Sequence, residues 1–155
     1  MFNLARSAWA DVVSLIFRRP PAVQLAALCW RDCGDGREVL LITSSKGRWI
    51  LPKGWPIDGL DGKETALREA WEEAGVRDGR AGHAPVAGFN CVKRGETGQR
   101  VRCHVAVYPV EVTAIVADYP ESTRRDRTWV SLAKAQELVD EPGLRTVLQG
   151  YAAAA

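Results

Sequence analysis

Of the four cysteines, Cys29, Cys33, Cys91 and Cys103, none forms a CxxC pair, and no second close pair accompanies Cys29 and Cys33 to complete a zinc site. The usual thiolate-metal and dithiol-redox signatures are therefore excluded. Cys29, Cys91 and Cys103 lie in apolar or strand-like stretches, where cysteine serves as a small hydrophobe. A reduced, cytoplasmic protein is the expectation. No apolar run is long enough to span a bilayer. No sign of charge dominates: 21 Lys and Arg stand against 19 Asp and Glu, a formal net charge of +2. Such a balance gives no chain-wide attraction to nucleic acid or to an anionic membrane, so any electrostatic argument must be local. Repeats and low-complexity linkers are absent as well. With 155 residues, 46% hydrophobic and 26% charged, the chain fits one domain with its own core and leaves little room for two. Only the run Ala152 to Ala155 is expected to fray.

The N-terminal stretch MFNLARSAWADVVSLIFRR lacks a signal-peptide pattern. Arg6 and Asp11 interrupt its apolar part, and Arg18-Arg19-Pro20-Pro21 stands where small residues would precede cleavage. Phe2, Ala5, Trp9, Val12 and Ile16 recur at three- and four-residue steps, which predicts an amphipathic helix over residues 1–19. That helix is accessory to a domain over residues 20–155. It packs on the domain or across a homodimer interface; attachment to a membrane surface is the competing reading.

After the Pro20-Pro21 break, AVQLAALCW and VLLITS read as buried strands separated by the DCGDGRE turn, and RWILP as a short third. Gly54 to Asp61 is loop, and a helix runs from about Gly62 to Ala74. PVAGFNCVKR and QRVRCHVAVYPVEV form a hairpin around the Gly95-Glu96-Thr97-Gly98 tip. The basic loop YPESTRRDR follows, then a short strand at Thr128 to Val130. Two helices close the chain, SLAKAQELVD with Ser131 as N-cap and EPGLRTVLQGY with Pro142 in its first turn. This order predicts an α/β fold, a mixed β-sheet between helices.

The middle helix holds the chemistry. Asp61 and Glu64 have capping-box spacing, and Gly75 supplies the left-handed exit. Leu67, Ala70, Trp71 and Ala74 follow i, i+3, i+4, i+7 and predict the core stripe. Glu72 and Glu73 lie within about 60° of Glu69 around the helix axis. Like charges at these spacings repel. Oxygen ligands on a rigid helix suit a hard cation such as Mg²⁺ or Mn²⁺; a solvated acidic face is the plain alternative. Ahead of the helix, Gly54 and Gly59 bracket an irregular loop that leads into an N-terminus whose free amides and dipole favour anions.

In this register Gly54, Arg68, Glu69, Ala70, Glu72, Glu73, Gly75 and Val76 resemble the Nudix box, G-x5-E-x7-R-E-U-x-E-E-x-G-U, where U is aliphatic. The element order also resembles the Nudix α/β/α sandwich, from about Ala22 onward. One defined position departs: Leu60 stands where the box has glutamate. In the family that glutamate mostly supports loop and helix, often by pairing with the box arginine; here Glu64, four residues before Arg68, is the expected substitute partner.

The resemblance implies a pyrophosphohydrolase acting on a polyphosphorylated small molecule with Mg²⁺ or Mn²⁺. It implies metal ligands at Glu72 and Glu73, joined by Glu69 and by the backbone carbonyl of Lys53, with Arg68 orienting the carboxylates. The general base is Glu121 or Asp126 in the late loop, or Glu69 within the box. Lys46, Arg48 and Lys53 flank the entry to the loop, Lys93, Arg94, Arg100 and Arg102 lie on the hairpin, and Arg124, Arg125 and Arg127 form a second cluster. Of these, Lys46, Arg48, Lys53, Arg102 and Arg124 are the candidates for holding phosphates. WILPKGWP and DRTWVSLAKAQELVDEPGLRTVL are similar to the diphosphoinositol polyphosphate phosphohydrolase-like branch, which cleaves diphosphoinositol and diadenosine polyphosphates. Trp49, Trp55 and Phe89 are the aromatics near the box that could stack a base, burial in the core being the commoner fate. Rival readings are a nucleotide-sugar, dinucleoside-tetraphosphate or RNA 5′-end pyrophosphohydrolase, and a ligand-binding Nudix module without catalysis. An RNA substrate would call for a continuous basic stripe, which the near-neutral balance disfavours.

Overall fold

A computed structural model describes residues 21–154. The amphipathic helix expected over residues 1–19, and any dimer interface it makes, fall outside the described residues. Eight strands and three helices follow in the order β1 (Ala22–Asp32), β2 (Arg37–Thr43), β3 (Trp49–Ile50), β4 (Lys53–Gly54), α1 (Gly62–Ala74), β5 (Val76–Ala81), β6 (Ala87–Arg94), β7 (Arg100–Ile115), β8 (Arg127–Ser131), α2 (Leu132–Leu138) and α3 (Pro142–Ala154). All strands belong to one mixed sheet with the central path β3-β2-β1-β7-β5. β1 runs parallel to β7 from Ala22↔Cys103 to Trp30↔Glu111, and the remaining pairings are antiparallel.

The length of β7 organises the sheet. On its far side from β1 it pairs first with β6, as far as Val107, and then with β5, from Val110. Pro109 sits between the two partners, where a residue without an N–H breaks no ladder on that edge. Its carbonyl accepts from Gly82 N at 2.9 Å.

β1 and β2 read as continuous apolar runs because both faces of the sheet are covered. Ala26, Leu28, Val39 and Leu41 point to the side of α2 and α3, where they meet Leu132, Val139, Leu144 and Leu148. Their alternates Ala27, Cys29, Leu40 and Ile42 meet Ala66, Ala70 and Ala74 of α1. The result is the α/β/α sandwich expected from the element order.

Three expectations need correction. The buried face of α1 consists of Thr65, Ala66, Ala70, Glu73 and Ala74, while Leu67 and Trp71 are only partly buried. The helix lies so close to the sheet that small side chains at i, i+4, i+8 fill the contact, and the larger apolar residues go to the flank. β5 has no counterpart in the sequence reading, because its Asp78-Gly79 resembles a turn. It is an irregular edge strand with register shifts on both sides of Asp78. At the other end, α3 continues through Ala152 to Ala154 instead of fraying.

The ends of α1 form as the sequence predicts. Asp61 Oδ1 accepts from Glu64 N, and Glu64 Oε2 accepts from Asp61 N, both at 2.8 Å. Gly75 takes the left-handed conformation at φ 69°, and its N–H donates back into the last turn. A Cβ at Gly75 would also lie 2.8 Å from the carbonyl oxygen of Val116. Gly75→Ala is expected to cost about 1–2 kcal/mol for the left-handed backbone alone, and more through this crowding. Urea unfolding measures it; a midpoint equal to that of the parent chain would contradict the cap.

Candidate active site

The close seating of α1 brings its acidic side against β4. A Cβ on Gly54 would fall inside the carboxylate of Glu69, so only glycine lets the Glu69 side chain lie against the strand backbone. One turn further, Glu73 is 7% exposed. Its Oε2 accepts from Lys53 N at 3.1 Å, and its Oε1 accepts from Arg125 Nη2 at 2.8 Å.

Arg125 is the hub of the site. Besides Glu73 it donates through Nη1 to the carbonyl of Thr43 at 2.8 Å and through Nε to Glu121 Oε1 at 3.4 Å. One guanidinium thus ties the helix, the end of β2 and the late loop together. The loop is also fixed by its backbone, because Glu121 N donates to Glu72 O at 3.0 Å. Glu121 is therefore brought to the box glutamates, whereas Asp126 is exposed and serves the loop through its backbone, N to Thr43 Oγ1 at 2.9 Å.

The electrostatics reflect this crowding. Burial, followed by the charges of Glu73, Glu72 and Glu121, pushes the Glu69 carboxyl up to about 7, with Arg125 opposing. Glu73 is also raised: burial outweighs its pairing with Arg125 and its hydrogen bond from Lys53 N. The Lys53 ammonium is lowered by burial and by Lys93. Among the described residues no three acidic, imidazole or thiol groups converge on one point at ligand distance. Glu73 pairs with Arg125 at 2.8 Å, and Glu72 leans towards Arg68 at 3.9 Å.

Other expected residues are placed as follows. Arg68 pairs with Glu72 and not with Glu64, because the capping box has already engaged the Glu64 carboxylate. Leu60 lines an open groove of about 730 Å³ beside α1 with Leu67, Trp71, Val76 and Arg77. Lys46 and Arg48 are exposed in the turn that leaves Thr43, near the Arg125 anchor. Arg124 is exposed and reaches Glu121 at 3.1 Å. Arg102 is exposed on the face of the sheet opposite Cys103, so it does not join the Lys53 side chain. Arg127 is structural: Nη1 donates to Ala74 O at 2.6 Å, and the guanidinium covers the Tyr119 ring. Arg125, the best connected of the run, is the residue that sequence reasoning left undistinguished. Nothing in RRDR says which arginine turns inward.

This arrangement belongs to a known family. The NUDIX domain family matches residues 22–151, and the chain belongs to it. Nudix hydrolase 16, mitochondrial, of Arabidopsis thaliana is 33% identical over 120 residues, covering 76% of this chain and 66% of that protein. Diphosphoinositol polyphosphate phosphohydrolase 3-beta of Bos taurus is 35% identical over 118 residues, covering 71% of this chain and 64% of that protein. The chain spans less than two thirds of the length of these relatives. The fold is shared with the solved structure of the C. elegans Ap4A hydrolase, at a TM-score of 0.62 and 18% identity over 86% of this chain and 98% of that one.

Three outcomes follow for the metal-free protein. Glu69 binds its proton more tightly folded than unfolded, so its contribution to stability is full below the ordinary value of 4.5 and is lost as pH rises through about 7. In EDTA, Glu69→Gln should therefore gain stability relative to the parent chain between pH 5 and pH 8; parallel urea midpoints across that range would refute this. Arg125→Ala should cost about 2–3 kcal/mol, less than stripping a wholly buried pair because both side chains keep some solvent. Arg124→Ala, on an exposed pair, should cost under about 1 kcal/mol.

Proposed function

We propose that this chain is a divalent-metal-dependent pyrophosphohydrolase that cleaves a polyphosphorylated small molecule of the diadenosine polyphosphate or diphosphoinositol polyphosphate type. The observation that carries the reading is the gathering of Glu69, Glu72, Glu73 and Glu121 at one end of the sheet, where Glu69 and Glu73 are both disfavoured as free anions. So many carboxylates in one partly buried place are poorly compensated by Arg125 and by the exposed Arg68 and Arg124. Their donor set is all oxygen, which fits Mg²⁺ or Mn²⁺.

Glu69, Glu72 and Glu73 would hold such a cation together with the carbonyl of Lys53. The N–H and C=O of one extended residue point to the same side of a strand, and Lys53 N already points at Glu73. A bound cation supplies neutralisation of phosphate oxygens and a more acidic water. The remaining work falls to the chain. Arg68 draws Glu72 into place, and Arg125 must yield part of its hold on Glu73. Lys46, Arg48 and Arg124 offer exposed cations to the phosphates around the rim. An attacking water forms the new bond to phosphorus as the bridging P–O bond breaks, and its proton passes to Glu69 or to Glu121. The free thiols at Cys29, Cys33, Cys91 and Cys103 suit a reducing cytoplasm. No helix among the described residues is long and apolar enough to cross a membrane.

A hydrolysis panel tests the reading. Diadenosine polyphosphates, a diphosphoinositol polyphosphate, nucleotide sugars and nucleoside triphosphates are incubated with Mg²⁺, Mn²⁺ or EDTA, and products are identified by mass spectrometry. Turnover should require the cation and fall on the order of a hundredfold or more in Glu73→Gln. A folded protein that turns over none of these compounds with either metal would overturn it.

A further inference from the structure

Two thiols stand opposite each other on the hairpin. Cys91 of β6 and Cys103 of β7 are direct partners in the antiparallel ladder, so both side chains lie on one face of the sheet. It is the α2–α3 face, where Cys103 belongs to the core and Cys91 packs against it. Residues directly opposite in such a pair have Cα atoms about 4.5–5.5 Å apart, inside the range of about 4.4–6.8 Å that a disulfide spans. The other two cysteines are elsewhere. Cys29 is buried on the α1 face, and Cys33 is exposed just past the end of β1 remote from Cys103.

The pair also marks a boundary in the sheet. The first rung between β1 and β7 is Ala22↔Cys103. Past it, among the described residues, β6 and β7 continue without a third strand through Val92↔Arg102, Lys93↔Val101 and Arg94↔Arg100. A two-stranded hairpin is marginally stable by itself in water. This arm carries Lys93, Arg94, Arg100 and Arg102, and Lys93 Nζ reaches the box loop, 5.3 Å from the centre of the Trp55 ring. Cys91 and Cys103 thus form the rung at the base of a basic arm.

Their accessibilities differ. Cys91 is half-buried and open to a small reagent, whereas Cys103 is 1% exposed and needs to reach no further than Cys91. Burial, then the charge and hydrogen bonding of Cys91, push the Cys103 thiol up to about 11, with Lys93 and Lys53 opposing. Capping the Cys91 sulfur removes its charge, while both ammonium groups remain to favour the Cys103 thiolate.

We propose that Cys91 and Cys103 are a reversible dithiol–disulfide site that exchanges with low-molecular-weight disulfides and, when oxidised, staples the base of the basic arm. The Cys91 thiolate attacks one sulfur of the external disulfide, forming a mixed disulfide and releasing one thiolate. The Cys103 thiolate then attacks the Cys91 sulfur, forming the Cys91–Cys103 bond and releasing the second. Two protein thiols are oxidised, one external disulfide is reduced to two thiols, and the cysteine protons pass to the released thiolates. The closed ring over residues 91–103 restricts the arm whenever its rungs open. Such a couple suits a reducing compartment, where protein disulfides are transient and sense redox state. It is independent of the pyrophosphohydrolase reading.

Thiol mapping tests the exchange. The full chain in EDTA is equilibrated with oxidised and reduced glutathione over a range of ratios and quenched with N-ethylmaleimide in denaturant. Peptide masses should link Cys91 to Cys103 with loss of the two thiol hydrogens, and should confine stable glutathione adducts to Cys33. Excess reduced glutathione should reverse the link. Cys103→Ser should stop with glutathione on Cys91, and Cys91→Ser should leave Cys103 free. The exposed Cys33 reports that the oxidant is active. If Cys33 is modified while Cys91 and Cys103 stay reduced, or while glutathione persists on Cys91 beside a free Cys103, the proposal is overturned. The parent chain decides this whether or not either variant folds. Hydrogen exchange reads the staple: amides of residues 92–102 should exchange about tenfold or more slowly in the oxidised chain. Equal rates in the two forms would overturn it as well.

Discussion

The structure depends on how closely α1 is pressed against the sheet and the β4 backbone. Three alanines at i, i+4 and i+8 make the contact with β1 and β2, and Gly54 removes the one side chain that would hold Glu69 away. Without that approach Lys53 N could not reach Glu73, and Arg125 could not bond helix and strand at once. Proximity also creates the electrostatic problem of the site. Carboxylates at i, i+3 and i+4 repel one another even in solvent, and burial removes much of the screening. The chain answers with one inward arginine and one backbone N–H, which leave Glu69 and Glu73 raised. Packing has created that residual imbalance, which the proposed cation would relieve.

The same constraint explains what was legible in the sequence. The limits of α1, its capping box and its glycine exit are local and were readable from Asp61, Glu64 and Gly75. The two-sided sheet was readable from the uninterrupted apolar runs of β1 and β2. The buried face of α1 was not, because periodicity weighted Leu67 and Trp71 by size while close packing selected alanine. β5 was missed for a related reason: an edge strand of Arg77, Asp78, Gly79 and Arg80 is held by β7, not by its own propensity.

Basic residues were the least legible part of the site. Arg124, Arg125 and Arg127 stand within four positions, yet one is exposed on Glu121, one is the hub of the carboxylates, and one caps α1 at Ala74 O. Each role is decided by which way the 121–127 turn faces a distant helix, information that composition does not contain. The glutamates were easier because helical geometry fixes their mutual angles before any tertiary contact forms.

Leu60 shows how support for the start of a helix can be exchanged. A glutamate at this position would join loop and helix through Arg68. Here the start of α1 is secured by the reciprocal Asp61–Glu64 bonds and by the turn from Leu60 N to Ile57 O at 3.1 Å. A Cβ at Gly62 would clash with the Tyr108 side chain. An exposed ion pair contributes roughly 0–1 kcal/mol, and partial burial of a leucine against Leu67 and Trp71 returns an amount on the order of 1 kcal/mol. The exchange is therefore close to neutral in stability. It leaves Arg68 to pair with Glu72 and places a leucine in the groove lined by Leu67, Arg68, Trp71 and Arg77.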